Sequence, residues 1–336
     1  MRNTSPSMRG KMIAEGIVNL NKPRGMTSHD CVREIRRITG VKRVGHTGTL
    51  DPQTDGVLPV CIGNATRIVE YLDPDFKKYD CEMTLGLVTE TQDIWGETVR
   101  DSRGEAAFVT PESIAEALGA FKGRIMQAPP KYSAVKRGGK RLYEYARAGE
   151  DVEIEKRAVY ISELTITGMD SARNAVRFSV VCSKGTYIRT ICHDAGEMLG
   201  CGAAMSGLTR LASGAFSIED AVPLDDLKDM DEDEVNGLLK SADYPLVHFG
   251  RAIMADEEAL WRFTNGIKLD PREVIIEEEP YYASEDPPFP IREEYRRAFR
   301  VYGAYGGAEA FLGVAFRDAG SGMLAADKVL FRSAGL

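Results

Sequence analysis

Histidine is scarce in this 336-residue chain, with four at positions 29, 46, 193 and 248, and none of its six cysteines forms a Cys-x-x-Cys pair. Ligands so scattered do not make a structural zinc site. The cysteines, at 31, 61, 81, 182, 192 and 201, mostly sit in apolar runs and read as reduced core thiols of a cytosolic protein. No apolar run approaches the roughly 20 residues that span a bilayer. The stretch 1–12 is basic but lacks the apolar segment of a secretory signal, so it reads as a short flexible tail. Together these absences predict a cytoplasmic protein with no membrane segment and no metal.

Positive charge is also short, since the net charge is −8. That deficit is local. Residues 1–216 carry 30 Lys and Arg against 26 Asp and Glu, whereas residues 217–336 carry 13 against 25. Affinity for nucleic acid follows a local basic surface and not the whole-chain sum. The first part can therefore face RNA, while the second repels it wherever it comes close. A phosphate-binding loop is missing too. Gly40 to Thr47 nearly spells the Gly-x-x-x-x-Gly-Lys-Thr pattern, but His46 stands where the lysine belongs, and a helix instead of a strand precedes it.

What the chain does have is the stretch Gly45-His46-Thr47-Gly48-Thr49-Leu50-Asp51-Pro52. One carboxylate, Asp51, stands among glycines and hydroxyl residues directly before a proline, which biases it away from helical dihedrals. The apolar run Val57 to Ile62 reads as a buried strand, so Asp51 sits on a stiff loop beside a packed element. A plain surface turn uses the same residue types.

The stretch Gly45 to Pro59 resembles the signature loop of the TruB-type tRNA pseudouridine synthases, which isomerise uridine 55 in the T arm of tRNA. Other segments resemble that family in order. They are Gly16 to Ser28 with its Lys-Pro-Arg-Gly-Met-Thr-Ser turn, Lys78-Tyr79, Pro129 to Ala134, Cys182 to Thr190, and Leu208 to Leu211. The resemblance covers roughly residues 16–215. It implies an α+β fold: a pseudouridine-synthase core with a mixed, largely antiparallel sheet flanked by helices, and a small β-rich C-terminal domain loosely like a PUA domain.

The resemblance also implies roles. Asp51 is the nucleophile and Arg189 its ion-pair partner. Tyr79 stacks on the flipped base, its hydroxyl being a candidate acceptor of the C5 proton, and Tyr187 and Leu208 line the pocket. His46 fills the space the base leaves or contacts RNA. Lys22 and the segment Lys131, Tyr132, Lys136, Arg137, Lys140 and Arg141 contact RNA. Asp51 can act by adding to C6 of the uracil or by attack or proton removal at the ribose, and the sequence leaves both open. No cofactor is expected. The expected partner is the tRNA T arm, bound by a monomer that needs no protein partner. A guide-RNA relative with another target, or a non-catalytic RNA-binding protein, are the alternatives. The second leaves Asp51 without a task.

The expected organisation is a tail at 1–12, a catalytic domain at 13–248 with an RNA-gripping segment at 131–155, and a C-terminal domain at 249–336. An acidic insertion near 273–298 is expected to be mobile. Thr54-Asp55 departs from the Ala-Thr more usual in the family and adds a carboxylate four residues after Asp51, either tuning it or facing solvent. Ser28 is expected to cap a helix that Gly40 ends, and Val152 to Ile154 to form a strand.

Overall fold

The chain is described by a computed structural model over residues 15–72 and 76–331. The expected tail at 1–12 lies outside these residues. Strands β1 (Gly16–Lys22), β2 (Val44–His46), β3 (Asp55–Ile62), β4 (Lys77–Leu85), β5 (Gly123–Gln127), β6 (Arg157–Asp170), β7 (Ala175–Cys182), β8 (Ala203–Ser213), β9 (Phe216–Ser217) and β10 (Val222–Pro223) form one sheet. Its order is β10-β1-β3-β8-β4-β7-β6-β5, with β2 paired to β3 and β9 to β8. Only β1–β10 and β8–β3 run parallel among these pairs, so the sheet is mixed and largely antiparallel. β3 is buried on both faces, Leu58 and Val60 in one apolar cluster and Val57 and Cys61 in another, whereas β4 alternates, burying Tyr79, Cys81 and Met83.

Helices α1 (Ser28–Thr39), α2 (Pro111–Gly119), α3 (Leu142–Ala148) and α4 (Ile188–Met198) accompany it. The apolar face of α1, with Cys31, Val32 and Ile35, packs into the same core as Ile188, Ile191 and Cys192 of α4. Arg33 and Arg37 of α1 point outward and pair with Asp30 and Glu34. Thr27, and not Ser28, caps α1: its side chain accepts from the Asp30 amide while Asp30 accepts from the Thr27 amide. Ser28 is released for another task described below. Gly40 ends the helix at φ 68°, a conformation that suits glycine.

A second, five-stranded sheet holds β11 (Gly250–Met254), β12 (Val274–Glu278), β13 (Ala298–Tyr305), β14 (Ala308–Arg317) and β15 (Leu324–Val329) in the order β12-β11-β13-β14-β15. The expected mobile insertion is instead built into this sheet. Its first part is the edge strand β12, Tyr282 is buried, and four of its acidic side chains are held by arginines: Glu277 by Arg251, Glu278 by Arg300, Glu279 by Arg317 and Asp286 by Arg296. Composition alone suggests repulsion; three of the arginines that absorb it come from the strands β11, β13 and β14, and Arg296 comes from the insertion itself. The acidic stretch at 225–234 likewise resolves into two short helices, Leu224–Asp229 and Glu232–Leu238.

The two sheets are joined by a common apolar cluster. Ile17, Val57, Ile68 and Tyr71 of the first part pack with Phe249, Tyr282, Tyr295 and Val314 of the second. Polar bonds cross the same boundary. The Tyr295 hydroxyl donates to the Glu70 carbonyl at 3.0 Å, and Lys328 pairs with Glu70 at 3.1 Å.

Candidate active site

The loop carrying Asp51 is fixed from several sides by groups that leave its carboxylate free. Ser28 Oγ accepts from the Leu50 amide at 2.9 Å and donates to the Leu50 carbonyl at 3.2 Å. The Gly25 amide donates to the Pro52 carbonyl at 2.8 Å, and the Thr54 amide to the Asp51 carbonyl at 3.0 Å. Beneath it lies Lys22, with 0 % exposure, whose ammonium donates to the carbonyls of Thr54 (2.6 Å), Pro52 (3.2 Å) and Pro23 (3.0 Å). Lys22 is therefore no RNA contact, as the sequence reading expects, but a brace. A buried ammonium needs its protons satisfied, and the loop carbonyls do it. Burial lowers its pKa, with Asp55 and Asp51 acting in the opposite sense.

Arg189 enters from the start of α4. Its Nε lies 2.9 Å from Asp51 Oδ2, with the arginine side chain 6 % and the aspartate 43 % exposed. Its Nη1 donates to the Thr91 carbonyl at 2.8 Å and its Nη2 to the Tyr132 carbonyl at 3.1 Å. With these donors occupied, the guanidinium has one fixed direction for the carboxylate. The entry of α4 is itself held by Gln127, whose amide group exchanges two bonds with the Tyr187 peptide, at 3.0 and 2.8 Å.

Below the carboxylate is a cavity of about 280 Å³, lined among others by Asp51, Tyr79, Tyr187, Arg189, Leu208 and Arg210. A second, more open space of about 570 Å³ lies on the other side of the Asp51–Arg189 pair, bordered by Trp95, Tyr132, Tyr143 and Arg147. Burial raises the phenol pKa of Tyr79, and Arg210 opposes that rise. Burial also raises the Tyr187 phenol. The structure thus brings together Asp51, Arg189, Tyr79, Tyr187 and Leu208.

His46 is not part of this group. It sits on β2, opposite Val60 of β3, and does not line the cavity. Burial lowers its imidazole pKa, with Arg210 and His29 adding to the effect, which favours the neutral ring. Asp55 turns toward Arg24, with Nε–Oδ2 at 2.7 Å.

The basic segment is near the site but is covered. Lys131 pairs with Asp151 at 2.9 Å, Lys140 with Glu150 at 3.8 Å, and Arg137 with Glu155. The Tyr132 hydroxyl donates to Glu90 at 3.2 Å, while Arg141 bonds and stacks on Tyr143. Lys136 is exposed. Residues 151–156 form no strand, contrary to the sequence reading: Val152 and Ile154 turn toward a small hollow beside Leu142 and Tyr145, and the carboxylates on either side of them, Asp151 and Glu155, pair with the basic segment.

Three contributors escaped sequence reading. Gln127 and Ser28 act through backbone groups and leave no pattern. Arg210 did leave one: it stands two residues after Leu208 on a strand, hence on the same face.

A family model described as TruB family pseudouridylate synthase (N-terminal domain) matches residues 36–188. A second, described as tRNA pseudouridylate synthase B C-terminal domain, matches residues 189–247. The protein named tRNA pseudouridine synthase B of Shouchella clausii is 49 % identical over 258 residues, covering 76 % of this chain and 85 % of that protein. The protein of the same name from Alkaliphilus oremlandii is 47 % identical over 239 residues, covering 71 % and 78 %. Among solved structures, that of a Cbf5–Nop10–Gar1 complex superposes with a TM-score of 0.68 at 24 % identity, covering 98 % of this chain and 91 % of that one. At that identity the likeness speaks for the fold.

Proposed function

This chain belongs to the TruB family of pseudouridylate synthases, and from that premise we propose that it isomerises uridine 55 in the T arm of tRNA. The observation that carries the reading is the half-exposed Asp51 carboxylate, aimed by a buried, fully engaged Arg189 at the mouth of a cavity floored by Tyr79. The reaction breaks N1–C1′, turns the base, joins C5 to C1′ and moves one proton from C5 to N1. It consumes no redox equivalent, so side chains suffice.

In this reading the target base leaves its stack, at a cost of a few kcal/mol. Stacking on Tyr79 offsets part of that, roughly 1–3 kcal/mol per base. Asp51 then acts as the nucleophile, by addition at C6 or attack at the ribose. Arg189 keeps the carboxylate charged and pointed. Tyr187 and Leu208 close the pocket around the base, and the Tyr79 hydroxyl is the candidate acceptor of the C5 proton. His46, outside the cavity, contacts the RNA next to the vacated position. The segment 131–155 grips the T arm through Lys131, Tyr132, Lys136, Arg137, Lys140 and Arg141. The catalytic unit is residues 13–248, and the protein works as a cytoplasmic monomer without a protein partner.

Pseudouridine mapping on unmodified tRNA incubated with the pure protein tests this directly. Modification should appear at position 55 and vanish with Asp51→Asn, an isosteric change that leaves tRNA binding within a few-fold. A tRNA left unmodified by the wild-type chain would refute the reading.

A further inference from the structure

Arg210 is among the largest fully buried side chains of the molecule, with 1 % exposure, and no carboxylate pairs with it among the described residues. A buried, unpaired guanidinium is costly, so its surroundings must use it. It lies on β8 between two strands. In the parallel pair with β3 its partner is Gly56, and in the antiparallel pair with β4 its partner is Tyr79. Gly56, at φ +99°, allows the close approach: a Cβ there would stand 2.2 Å from the Arg210 carbonyl oxygen. On the side-chain end, Nε donates to the Val57 carbonyl at 2.6 Å and Nη2 to the Gly48 carbonyl at 3.2 Å. Gly48 and Val57 flank Asp51 in the chain. The same side chain faces the Tyr79 hydroxyl and lines the cavity with Asp51.

We propose that Arg210 is a positioning residue for the isomerisation, a single fork that fixes the Asp51 loop and the Tyr79 ring relative to each other. This rests on the reading given above. Two consequences follow from the chemistry of the group. A guanidinium only donates, so at Tyr79 the phenol oxygen is the acceptor, which opposes the rise that burial imposes on its pKa and suits an oxygen that is to take up a proton. And the loop and the platform move as one body, so a base stacked on Tyr79 meets Asp51 at a set distance. Displacing reacting groups by about 1 Å costs on the order of 100-fold in rate.

The test measures tRNA affinity and, at saturating tRNA, the single-turnover rate of pseudouridine formation for Arg210→Met and Arg210→Lys. The rate is normalised to the fraction of chains that bind tRNA. Arg210→Met should be about 100-fold slower with the dissociation constant within threefold, and Arg210→Lys, which keeps a donor and the charge, should recover to within about tenfold of wild type. A normal rate per binding-competent chain would reduce Arg210 to a support of the fold and overturn the proposal. So would a loss confined to affinity, which marks an RNA contact. If the Met variant does not fold, Arg210→Gln, which can still donate to one carbonyl, takes its place under the same two criteria. Wild-type protein inactive on tRNA would instead refute the underlying reading, so the two failures are distinct.

Discussion

Asp51 and Arg189 divide their work in a way that kinetics can separate. Arg189 touches two backbone carbonyls, Asp51 and, at 3.8 Å, Asp93, and it is too deeply set to reach a phosphate. Arg189→Met should therefore slow single-turnover isomerisation by at least about 100-fold, while tRNA affinity changes little. Full single-turnover rate with weakened binding would make Arg189 an RNA contact. Asp51 and Arg189 could be read from the sequence because each stands in a motif with little freedom of interpretation. Lys22 could not: a lysine after a strand looks exposed until the loop folds over it and takes all its protons. Arg210 was hidden for a related reason, since a basic residue in an apolar strand signals burial without telling what it will hold.

At the level of elements, the segment 131–141 and the stretch 150–155 form a pair of opposite charge. Lys131, Arg137 and Lys140 are each matched by a carboxylate, so in the proposed reading RNA exchanges those carboxylates for phosphates. Exposed pairs of this kind are worth about 0.2–1 kcal/mol each. Neutralising them with Glu150→Gln, Asp151→Asn and Glu155→Gln together should tighten tRNA binding several-fold and steepen its salt dependence. Replacing Lys136, Arg137, Lys140 and Arg141 with alanine should weaken binding and flatten the slope by roughly 0.7 for each phosphate no longer neutralised. Titrations at two or three salt concentrations read both; coincident curves for the three chains would remove the segment from the RNA surface. The continuous apolar run of β3 and the helix α1 that Gly40 ends are legible in the sequence. The stretch 151–156 was misread because alternating Val and Ile suit a strand, yet no neighbouring edge is there to pair with them. The acidic residues Glu277, Glu278 and Glu279 suggest a mobile segment because their arginine partners lie on β11, β13 and β14, outside the local run of charge.

At the scale of the whole molecule, a histidine packs against the core common to both sheets. His248 packs against Phe249, Tyr282 and Tyr295, and burial pushes its imidazole down to about 4, with a bond to the Tyr71 backbone opposing the shift. The unfolded chain binds this proton near pH 6.5, the folded chain only near 4. Stability from the neutral ring is thus complete above about pH 6.5 and falls as pH drops toward 4, by roughly 3 kcal/mol at most. Denaturant unfolding between pH 7 and 4 should show that loss, and His248→Phe should remove this share of it; an unchanged pH dependence in the variant would assign the effect elsewhere. Because Ile17 of the first strand and Val314 of the last sheet share that core, the boundary expected between residues 248 and 249 is not one along which the protein can be cut. A chain ended at 248 would leave Ile17, Val57 and Tyr71 facing water. In calorimetry the intact protein should melt in a single transition, and the shortened one should aggregate before it can be assayed.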